Sequence, residues 1–314
     1  GDLCGDGEVT GDEVCDDGVN DGGYNGCAAD CLALGPYCGD AQVNGPEACD
    51  DANNALNDGC FDDCTIPETC ADILAYSDAA PDGEYLLKPA AYDGDPFPAY
   101  CDMAGGGWTL AMRFAPTNSQ FHFYSTHWTQ ESLVGENELA PEHPSDGKFW
   151  AFDFVPGDEL RGCLKHPMTE EYGCKAYPLG QEYTPRSLFT TVEVGSDINN
   201  KALYFNETQA EKLEWLTIQG RTLAQASVPN PQYVEVGVNI DDDISCYDAR
   251  VRFGLVLNNE NNINTLNDAA GFGAQAYYTA ACDIPNGQDS PWATACGFAA
   301  GANIYQVPGT IWIR

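Results

Sequence analysis

The side chains with the clearest chemical potential are two pairs of adjacent aspartates near the amino terminus. Asp16-Asp17 and Asp50-Asp51 lie among glycines, asparagines and cysteines, and residues 1–69 contain 17 Asp and Glu but no Lys or Arg. Carboxylates crowded in this way repel one another unless a cation collects them, and Ca²⁺ accepts roughly 6–8 oxygen ligands. We therefore predict that these four aspartates bind Ca²⁺; the alternative is a solvated acidic surface.

An internal repeat positions these aspartates. Residues 4–31 have the cysteine spacing C-x10-C-x11-C-x3-C, residues 38–64 have C-x10-C-x10-C-x3-C, and Glu13 aligns with Glu47. Each copy has too few apolar side chains to fold by burial alone, so disulfides or metal must hold it. Four cysteines allow three pairings in each copy, and the spacing does not choose among them.

The composition limits the compartment and the partners. Fifteen cysteines among 314 residues indicate an oxidising compartment, and hence a secreted, extracellular or cell-surface protein. The net charge of −36 would repel nucleic acid, and no apolar run of about 18 residues is present to insert into a membrane. The acidity fits bound cations, a surface adapted to a salty medium, or both.

The two copies resemble the myxobacterial-type cysteine-rich repeat, which is itself similar to Notch-type calcium modules. The resemblance rests on Cys-Gly-Asp at the start of each copy, the acidic pair, and Gly-Cys before the last cysteine. The first copy has an extra residue near Gly22-Gly23, and the second has Ala52 where the family has glycine. The resemblance implies small repeats over residues 1–34 and 35–66, held by disulfides and Ca²⁺.

Residues 67–314 have a different composition, rich in Trp, Tyr and Phe with mixed charge. β-branched and aromatic runs predict strands over residues 108–110, 188–192, 233–238, 251–257 and 310–313. Helices are predicted over residues 67–75 and 208–218, the second with Thr208 and Glu211 in capping-box positions. Long loops rich in Asn, Asp and Gly separate these elements, so the fold class is α+β with function expected on the loops.

Several motifs in this part of the chain resemble those of a fibrinogen C-terminal domain. They are Cys70-Ala71-Asp72-Ile73-Leu74, Tyr100-Cys101-Asp102-Met103, Gly105-Gly106-Gly107-Trp108-Thr109-Leu110 and the closing Gly309-Thr310-Ile311-Trp312-Ile313-Arg314. The resemblance covers about residues 67–314 and implies a fibrinogen-like domain with a central antiparallel sheet and long loops. We interpret the first three of these motifs as fold-determining and as containing no binding site.

A further segment is similar to the intelectins, or X-type lectins, which bind sugar hydroxyls through Ca²⁺. It is Phe253-Gly254-Leu255-Val256-Leu257-Asn258-Asn259-Glu260, which matches an intelectin strand that ends in an Asn-Asn-Glu turn. The resemblance implies that Asn259 and Glu260 belong to a calcium site.

The rest of the implied site departs from the intelectin pattern. Where intelectins supply a His and a second Glu, the oxygens here would come from Asn267, Asp268 or Gln275, and Asp283 matches a further calcium ligand. The aromatic side chains that would line the sugar pocket are Trp292, Tyr305, Tyr277 and Tyr278. The alternative is that residues 258–283 form an Asn-rich loop region whose amides only hold turns together.

These observations predict a secreted, calcium-dependent lectin that binds an extracellular glycan or polysaccharide at its carboxy-terminal loops. The alternative is a structural or adhesive surface or filament protein that uses the domain for protein–protein assembly. The sequence lacks a nucleophile elbow, a P-loop, an HExxH motif and a Rossmann fingerprint, so we do not expect an enzyme.

The cysteines beyond the repeats suggest further disulfides. Provisional pairs are Cys70 with Cys101, Cys163 with Cys174, and Cys282 with Cys296. Cys246 is then left over, and an odd cysteine in a secreted protein is either buried and inert or linked to another chain. A disulfide-linked oligomer through Cys246 is therefore one possibility.

Overall fold

The computed structural model describes residues 4–115, 120–195, 201–221, 233–241, 247–258, 266–278, 293–300 and 303–314. The chain divides into two compact units. The first contains Gly1–Ala80 with Glu84–Pro98, and the second contains Pro81–Gly83 with Ala99–Arg314. Within the described residues, no helix has the length and apolar character that crossing a membrane requires.

Nested disulfides hold both repeats of the first unit. The pairs are Cys4–Cys31, Cys15–Cys27, Cys38–Cys64 and Cys49–Cys60. In each repeat the first cysteine therefore bonds the fourth and the second bonds the third, which selects one of the three pairings left open by the spacing. Each crosslink stabilises the repeat by about 3 kcal/mol in the loop-closure account, because it restricts the unfolded chain.

The first unit also contains helix α1, Cys70–Tyr76. Strand β1 spans Gly83–Leu87, and its residues from Glu84 onward belong to this unit. Helix α1 starts with a capping box, in which the Thr69 hydroxyl accepts from the backbone N–H of Asp72 and the Asp72 carboxylate accepts in return from the backbone N–H of Thr69. Tyr76 stacks on Phe61 of the second repeat, with ring centroids 4.1 Å apart.

The second unit consists mainly of antiparallel strands. They are β2 Phe97–Asp102, β3 Trp108–Phe114, β4 Gly147–Lys148, β5 Gly157–Lys165, β6 Tyr172–Tyr183, β7 Leu203–Tyr204, β8 Tyr233–Asp241, β9 Tyr247–Asn258, β10 Asp268–Tyr278, β11 Ala293–Ala300, β12 Asn303–Gln306 and β13 Gly309–Ile313. The helices are α2 Trp150–Phe154, α3 Pro185–Thr191 and α4 Gln209–Thr217, with a short 3-10 helix at Thr126–Trp128. This content agrees broadly with the predicted α+β class.

These strands form two sheets. One has the order β2-β3-β13-β5-β6 with β4 beside β3, and the other has the order β12-β11-β10-β9-β8-β7. The last strand, β13, lies between β3 and β5, with Trp312 opposite Leu110 on one side and Arg161 on the other. The carboxy terminus is thus a central strand of the first sheet.

A core of aromatic side chains joins the two sheets. Phe272 of β10 packs against Phe114 of β3, with ring centroids 4.8 Å apart, and Trp215 of α4 packs edge-on against Phe253 of β9. Glycine is required at position 162 of β5, because a Cβ there would lie 2.6 Å from the Phe272 ring. The close approach of β5 to this ring therefore depends on the missing side chain.

Most of the predicted elements are confirmed, and two predictions are wrong. The strands predicted at 108–110, 233–238, 251–257 and 310–313 are present, as is the capping box of Thr208 and Glu211 at α4. Residues 188–192 were expected to form a strand, but 185–191 form helix α3, because Thr184 caps its first turn and Pro185 occupies the first helical position. The expected loop region 258–283 contains β10, a central strand of the second sheet.

The disulfides outside the repeats agree with the sequence in part. Cys163 and Cys174 form the predicted bond between the neighbouring strands β5 and β6, and Cys70 and Cys101 are both disulfide-bonded. The predicted pairing of Cys296 is wrong, because Cys296 is a free thiol buried on β11, directed at Gly309 of β13. Burial raises the pKa of this thiol well above its usual range. Cys246 and Cys282 lie outside the described residues.

Candidate binding cleft and acidic repeats

A buried arginine stands at the centre of the first sheet of the second unit. The guanidinium carbon of Arg161 lies 4.7 Å from the ring centroid of Trp108 and 4.7 Å from that of Trp312. Its Nη2 donates to a carboxylate oxygen of Asp102 at 2.6 Å. Burial lowers the pKa of Arg161, and the hydrogen bond and charge of Asp102 oppose this effect, so the guanidinium remains charged.

Arg314, the last residue, extends this stack. Its guanidinium lies 4.5 Å from the Trp108 ring and pairs with Glu159 of β5. Its Nη1 also donates to the carbonyl of Gly106 at 3.2 Å, and Gly106 has a φ of 111°, which favours glycine. The Gly-Gly-Gly-Trp motif and the Trp-Ile-Arg ending are therefore parts of one stack of cations and aromatic rings.

Beside this stack the surface opens into a cleft of about 210 Å³. Its aromatic lining comes from Tyr100, Tyr172 and Trp312, and its carboxylates come from Asp82, Asp102 and Glu142. Arg161 and the Cys163–Cys174 disulfide also line it. Every lining residue belongs to the second unit.

The charges around the cleft are unevenly matched. Asp102 is paired with Arg161, whereas Glu142 is exposed and lies 3.4 Å from Lys165, which also pairs with Glu170 at 3.1 Å. Asp82 accepts a hydrogen bond from the backbone N–H of Ala104 at 2.8 Å. The cleft therefore presents more negative than positive charge.

Two side chains at the cleft are affected by burial, Tyr172 in its ionisation and Arg161 in its hydrogen bonding. Burial, assisted by the charge of Glu142, raises the pKa of Tyr172, so its phenol is neutral at physiological pH. The Arg161 side chain is 10% exposed, and its Nε has no hydrogen-bond partner. The cleft thus combines aromatic rings, carboxylates and a guanidinium, a set suited to a polar ligand with apolar C–H faces.

Sequence reasoning missed this cleft, although its signals were present. Tyr100 and Asp102 belong to motifs that were interpreted as fold-determining and without a binding site, and Trp312 belongs to the closing strand motif. The structure brings all three to the cleft lining. The available signal was an aromatic residue near a charged one within a strand, as in Tyr100 and Asp102. The proximity of these residues to Trp312 depends on β13 lying between β3 and β5.

Of the predicted carboxy-terminal site residues, four have described side chains, and none of them lines the cleft. Gln275 is fully buried on β10. Asp268 starts β10 and is 6% exposed, and the Oδ1 of Asn267 is buried without a hydrogen-bond partner. The Tyr305 ring on β12 carries the Arg221 guanidinium 3.5 Å from its centroid. Its aromatic face is therefore already in contact with a cation.

The other predicted residues of that site lie outside the described part of the chain. They are Asn259, Glu260, Asp283 and Trp292, together with the side chains of Tyr277 and Tyr278. The predicted calcium site at the carboxy-terminal loops stays a prediction.

In each repeat of the first unit, one aspartate accepts backbone N–H groups from the start of the repeat. The Oδ2 of Asp16 accepts from Gly5 N at 2.6 Å, and in the second repeat the Oδ2 of Asp50 accepts from Gly39 N at 3.0 Å. The pKa of both aspartates is lowered, because these and further backbone hydrogen bonds outweigh the opposing effect of burial. These carboxylates therefore hold the backbone turns of the repeats.

The second aspartate of each pair makes different hydrogen bonds in the two repeats. Asp17 accepts from the backbone N–H of Asn20 at 2.6 Å and of Cys27 at 2.9 Å, and its pKa is lowered by these bonds. Asp51 accepts from Asn53 N at 3.1 Å. The first repeat is thus fastened by one more long-range hydrogen bond.

A further pair of carboxylates recurs at equivalent positions of the repeats. The groups of possible ligand atoms within 4.8 Å of one another are Glu13, Asp16 and Cys31, and Glu47, Asp50 and Cys64. Both cysteine sulfurs are in disulfides and cannot act as thiolate ligands. Two carboxylates remain in each group, so a bound Ca²⁺ would need backbone carbonyls and water as further ligands.

Comparisons with known proteins give a limited result. No family model and no curated protein matches the chain. Among solved structures, part of it is similar to a lamprey fibrin D-dimer complexed with the peptide ligand Gly-His-Arg-Pro-amide, at 16% identity and a TM-score of 0.26. The match covers 43% of this chain and 40% of that chain.

We predict that Asp102→Ala destabilises the second unit. The change leaves the Arg161 guanidinium buried without its carboxylate, which costs about 3 kcal/mol. Urea unfolding followed by tryptophan fluorescence measures the loss. Asp158→Ala is the control, since Asp158 is exposed on β5. A loss for Asp102→Ala no larger than that of the control would contradict the role given to this ion pair.

We also predict that the turns of the repeats loosen in acid. Because the folded pKa of Asp50 is depressed, its stabilising contribution is present above the ordinary value of 3.8 and is lost as pH falls through the lower, folded pKa. The amide proton of Gly39, followed by NMR between about pH 6 and pH 1.5, should titrate with a midpoint below 3.8. Asp50→Asn should abolish this titration; a midpoint at or above 3.8 would refute the assignment.

Proposed function

We propose that this chain is an extracellular carbohydrate-binding protein, which acts by binding and not by catalysis. The observation that carries the proposal is the cleft of the second unit, with aromatic residues, carboxylates and a guanidinium around about 210 Å³. The disulfides among the described residues support an oxidising, extracellular location.

The cleft has the groups that sugar recognition uses. The C–H faces of a sugar ring would pack on Tyr100 and Tyr172, and ring hydroxyls would donate to Asp82 or Glu142. The guanidinium of Arg161 would donate to a sugar oxygen. The lining aromatics lie on strands or at a strand end, so the ligand would meet a rigid surface.

We further propose two roles for Ca²⁺. In the repeats it would join Glu13 to Asp16 and Glu47 to Asp50, and the buried Oε1 of Glu47, which has no hydrogen-bond partner, supports this. Near β10 it would bind Asn267 and Asp268 with Asn259, Glu260 and Asp283. The unpartnered Oδ1 of Asn267 supports this second role.

A second candidate function is adhesion or self-assembly through the repeats. The observation that favours it is the exposure of large apolar side chains there, with Val19 at 73%, Val43 at 62% and Leu32 at 59%. Sedimentation with and without Ca²⁺ tests it, and a protein that stays monomeric at high concentration would contradict it.

For carbohydrate binding, we expect signals on a glycan array in calcium-containing buffer. Glu142→Gln and Tyr172→Ala should each weaken binding by about tenfold, because each removes one contact of the cleft. The control is Glu182→Gln, an exposed change on β6, the strand that contains Tyr172. This variant should bind normally. An array without signal would refute the proposal.

The same array, repeated with a chelator, separates the two candidate sites. Binding that survives the chelator and falls in the cleft variants would support the cleft. Binding that is lost in the chelator and unaffected by the cleft variants would refute the cleft as the sugar site.

For the repeats, we expect Ca²⁺ to raise their resistance to reduction and proteolysis. Glu13→Gln with Glu47→Gln should weaken Ca²⁺ binding by about tenfold, because each removes one of the two carboxylate charges of its group. Glutamine keeps an oxygen that can accept the backbone N–H now bound by each glutamate. Calorimetric titration with Ca²⁺ measures the effect, and Glu8→Gln is the control. If the Glu13→Gln, Glu47→Gln double variant bound Ca²⁺ as tightly as the Glu8→Gln control, the proposed site would be contradicted.

A further inference from the structure

We infer that the cleft selects ligands with a protonated amine, which among carbohydrates means a hexosamine whose amine is free. The inference rests on the proposed function, because it takes the cleft to be the ligand-binding site. It deepens that function by naming the chemical group that the cleft recognises.

The first argument is the balance of charge at the cleft. Three carboxylates line it against one guanidinium, and Arg161 is already matched by Asp102 at 2.6 Å. Glu142 has to share Lys165 with Glu170. The surplus negative charge is therefore carried by Asp82 and Glu142, and a ligand ammonium would neutralise it.

The state of Asp82 strengthens this argument. In the ranges that the structure describes, its carboxylate accepts one hydrogen bond, from the backbone N–H of Ala104, and forms no ion pair with a lysine or arginine. A carboxylate holds about four lone-pair positions, so most of the acceptor capacity of Asp82 is unused by the protein. An ammonium group brings three donors and a full positive charge to such an acceptor.

The aromatic lining suits the same group. An ammonium within about 6 Å of a ring centroid is attracted by the negative ring face. The Lys165 ammonium already lies 5.9 Å from the Tyr172 centroid. The Tyr172 ring therefore already lies within cation–π range of one ammonium group beside the cleft.

Arg161 supplies the second point of recognition. Its side chain is nine-tenths buried and lines the cleft. A hexosamine has hydroxyl oxygens next to its amine, so it can offer an acceptor to this guanidinium while its ammonium faces the carboxylates. A simple alkylammonium can bind the carboxylates but offers no acceptor to the guanidinium. A neutral sugar offers the acceptor but brings no ammonium to the carboxylates.

Size and long-range charge narrow the class further. The volume of about 210 Å³ is below the roughly 300 Å³ at which sites for larger ligands begin, so one sugar ring is the natural occupant. The net charge of −36 attracts cations and repels carboxylated or sulfated sugars. The volume thus favours a single ring, and the net charge favours a cationic one.

The test compares the disaccharide of glucosamine with its N,N′-diacetylated form, by calorimetry at pH 6 in physiological salt. These probes share every hydroxyl and differ at the nitrogen, which is a charged amine in one and a neutral, bulkier acetamide in the other. We expect the free amine to bind about tenfold more tightly or better, as one charge-assisted hydrogen bond provides. Butylammonium is a third probe, which carries the amine without the sugar.

The variants are Asp82→Asn and Glu142→Gln, singly and together. Asparagine keeps the oxygen that accepts from Ala104 N, and Glu142 is exposed, so both changes should preserve the fold. We expect the double variant to lower the preference for the free amine by about tenfold, because the affinity for the free amine falls by more than the affinity for the acetylated sugar. Glu182→Gln removes the same charge from β6 outside the cleft lining and should leave the preference intact.

The outcomes separate this inference from the proposed function. Equal affinity for the free and acetylated sugars overturns the inference and leaves carbohydrate binding standing. Binding of butylammonium without either sugar supports amine selection and overturns carbohydrate binding. A preference for the free amine that persists in the double variant overturns the inference, because the amine would then be recognised elsewhere.

Discussion

The second unit depends on one interaction, the insertion of the Arg161 guanidinium between two tryptophan rings. A buried guanidinium without partners is strongly unfavourable, so Trp108, Trp312 and the Asp102 carboxylate must all be in place for β5 to carry it. These partners come from three further strands, β2, β3 and β13. The stack therefore couples the order of the first sheet to the burial of a single charge.

The cleft is a consequence of the same stack. Three of its lining residues, Asp102, Arg161 and Trp312, are members of the stack, so their positions are fixed before any ligand arrives. Arg161 uses Asp102, and this leaves the surplus negative charge at the rim, on Asp82 and Glu142. A structural requirement of the core thus produces the charge pattern from which ligand selectivity is inferred.

The repeats of the first unit are held in a different way. Their nested disulfides replace the missing apolar core, and their aspartates accept backbone N–H groups that no strand or helix satisfies. Two of the carboxylates that were predicted as cation ligands therefore have a structural role. Asp16 and Asp50 hold turns through hydrogen bonds, whether or not Ca²⁺ joins them to Glu13 and Glu47.

The sequence by itself determined the local features of this protein. The repeat and its four-cysteine framework, the capping box at Thr208 and the strands ending at Asn258 and Ile313 could all be predicted, because each depends on residues close together in the chain. The strand predicted at 188–192 was wrong for a local reason as well, since the cap at Thr184 and Pro185 outweighed the β-branched run.

The tertiary structure alone decided which of these residues act together. Nested pairing of the repeat cysteines, the free thiol of Cys296 and the location of β10 inside a sheet all depend on long-range packing. Asp102 and Trp312 are 210 positions apart, and they line one cleft because β13 pairs between β3 and β5. Motif spacing records neighbours along the chain, whereas strand pairing brings together residues whose separation in sequence carries no such signal.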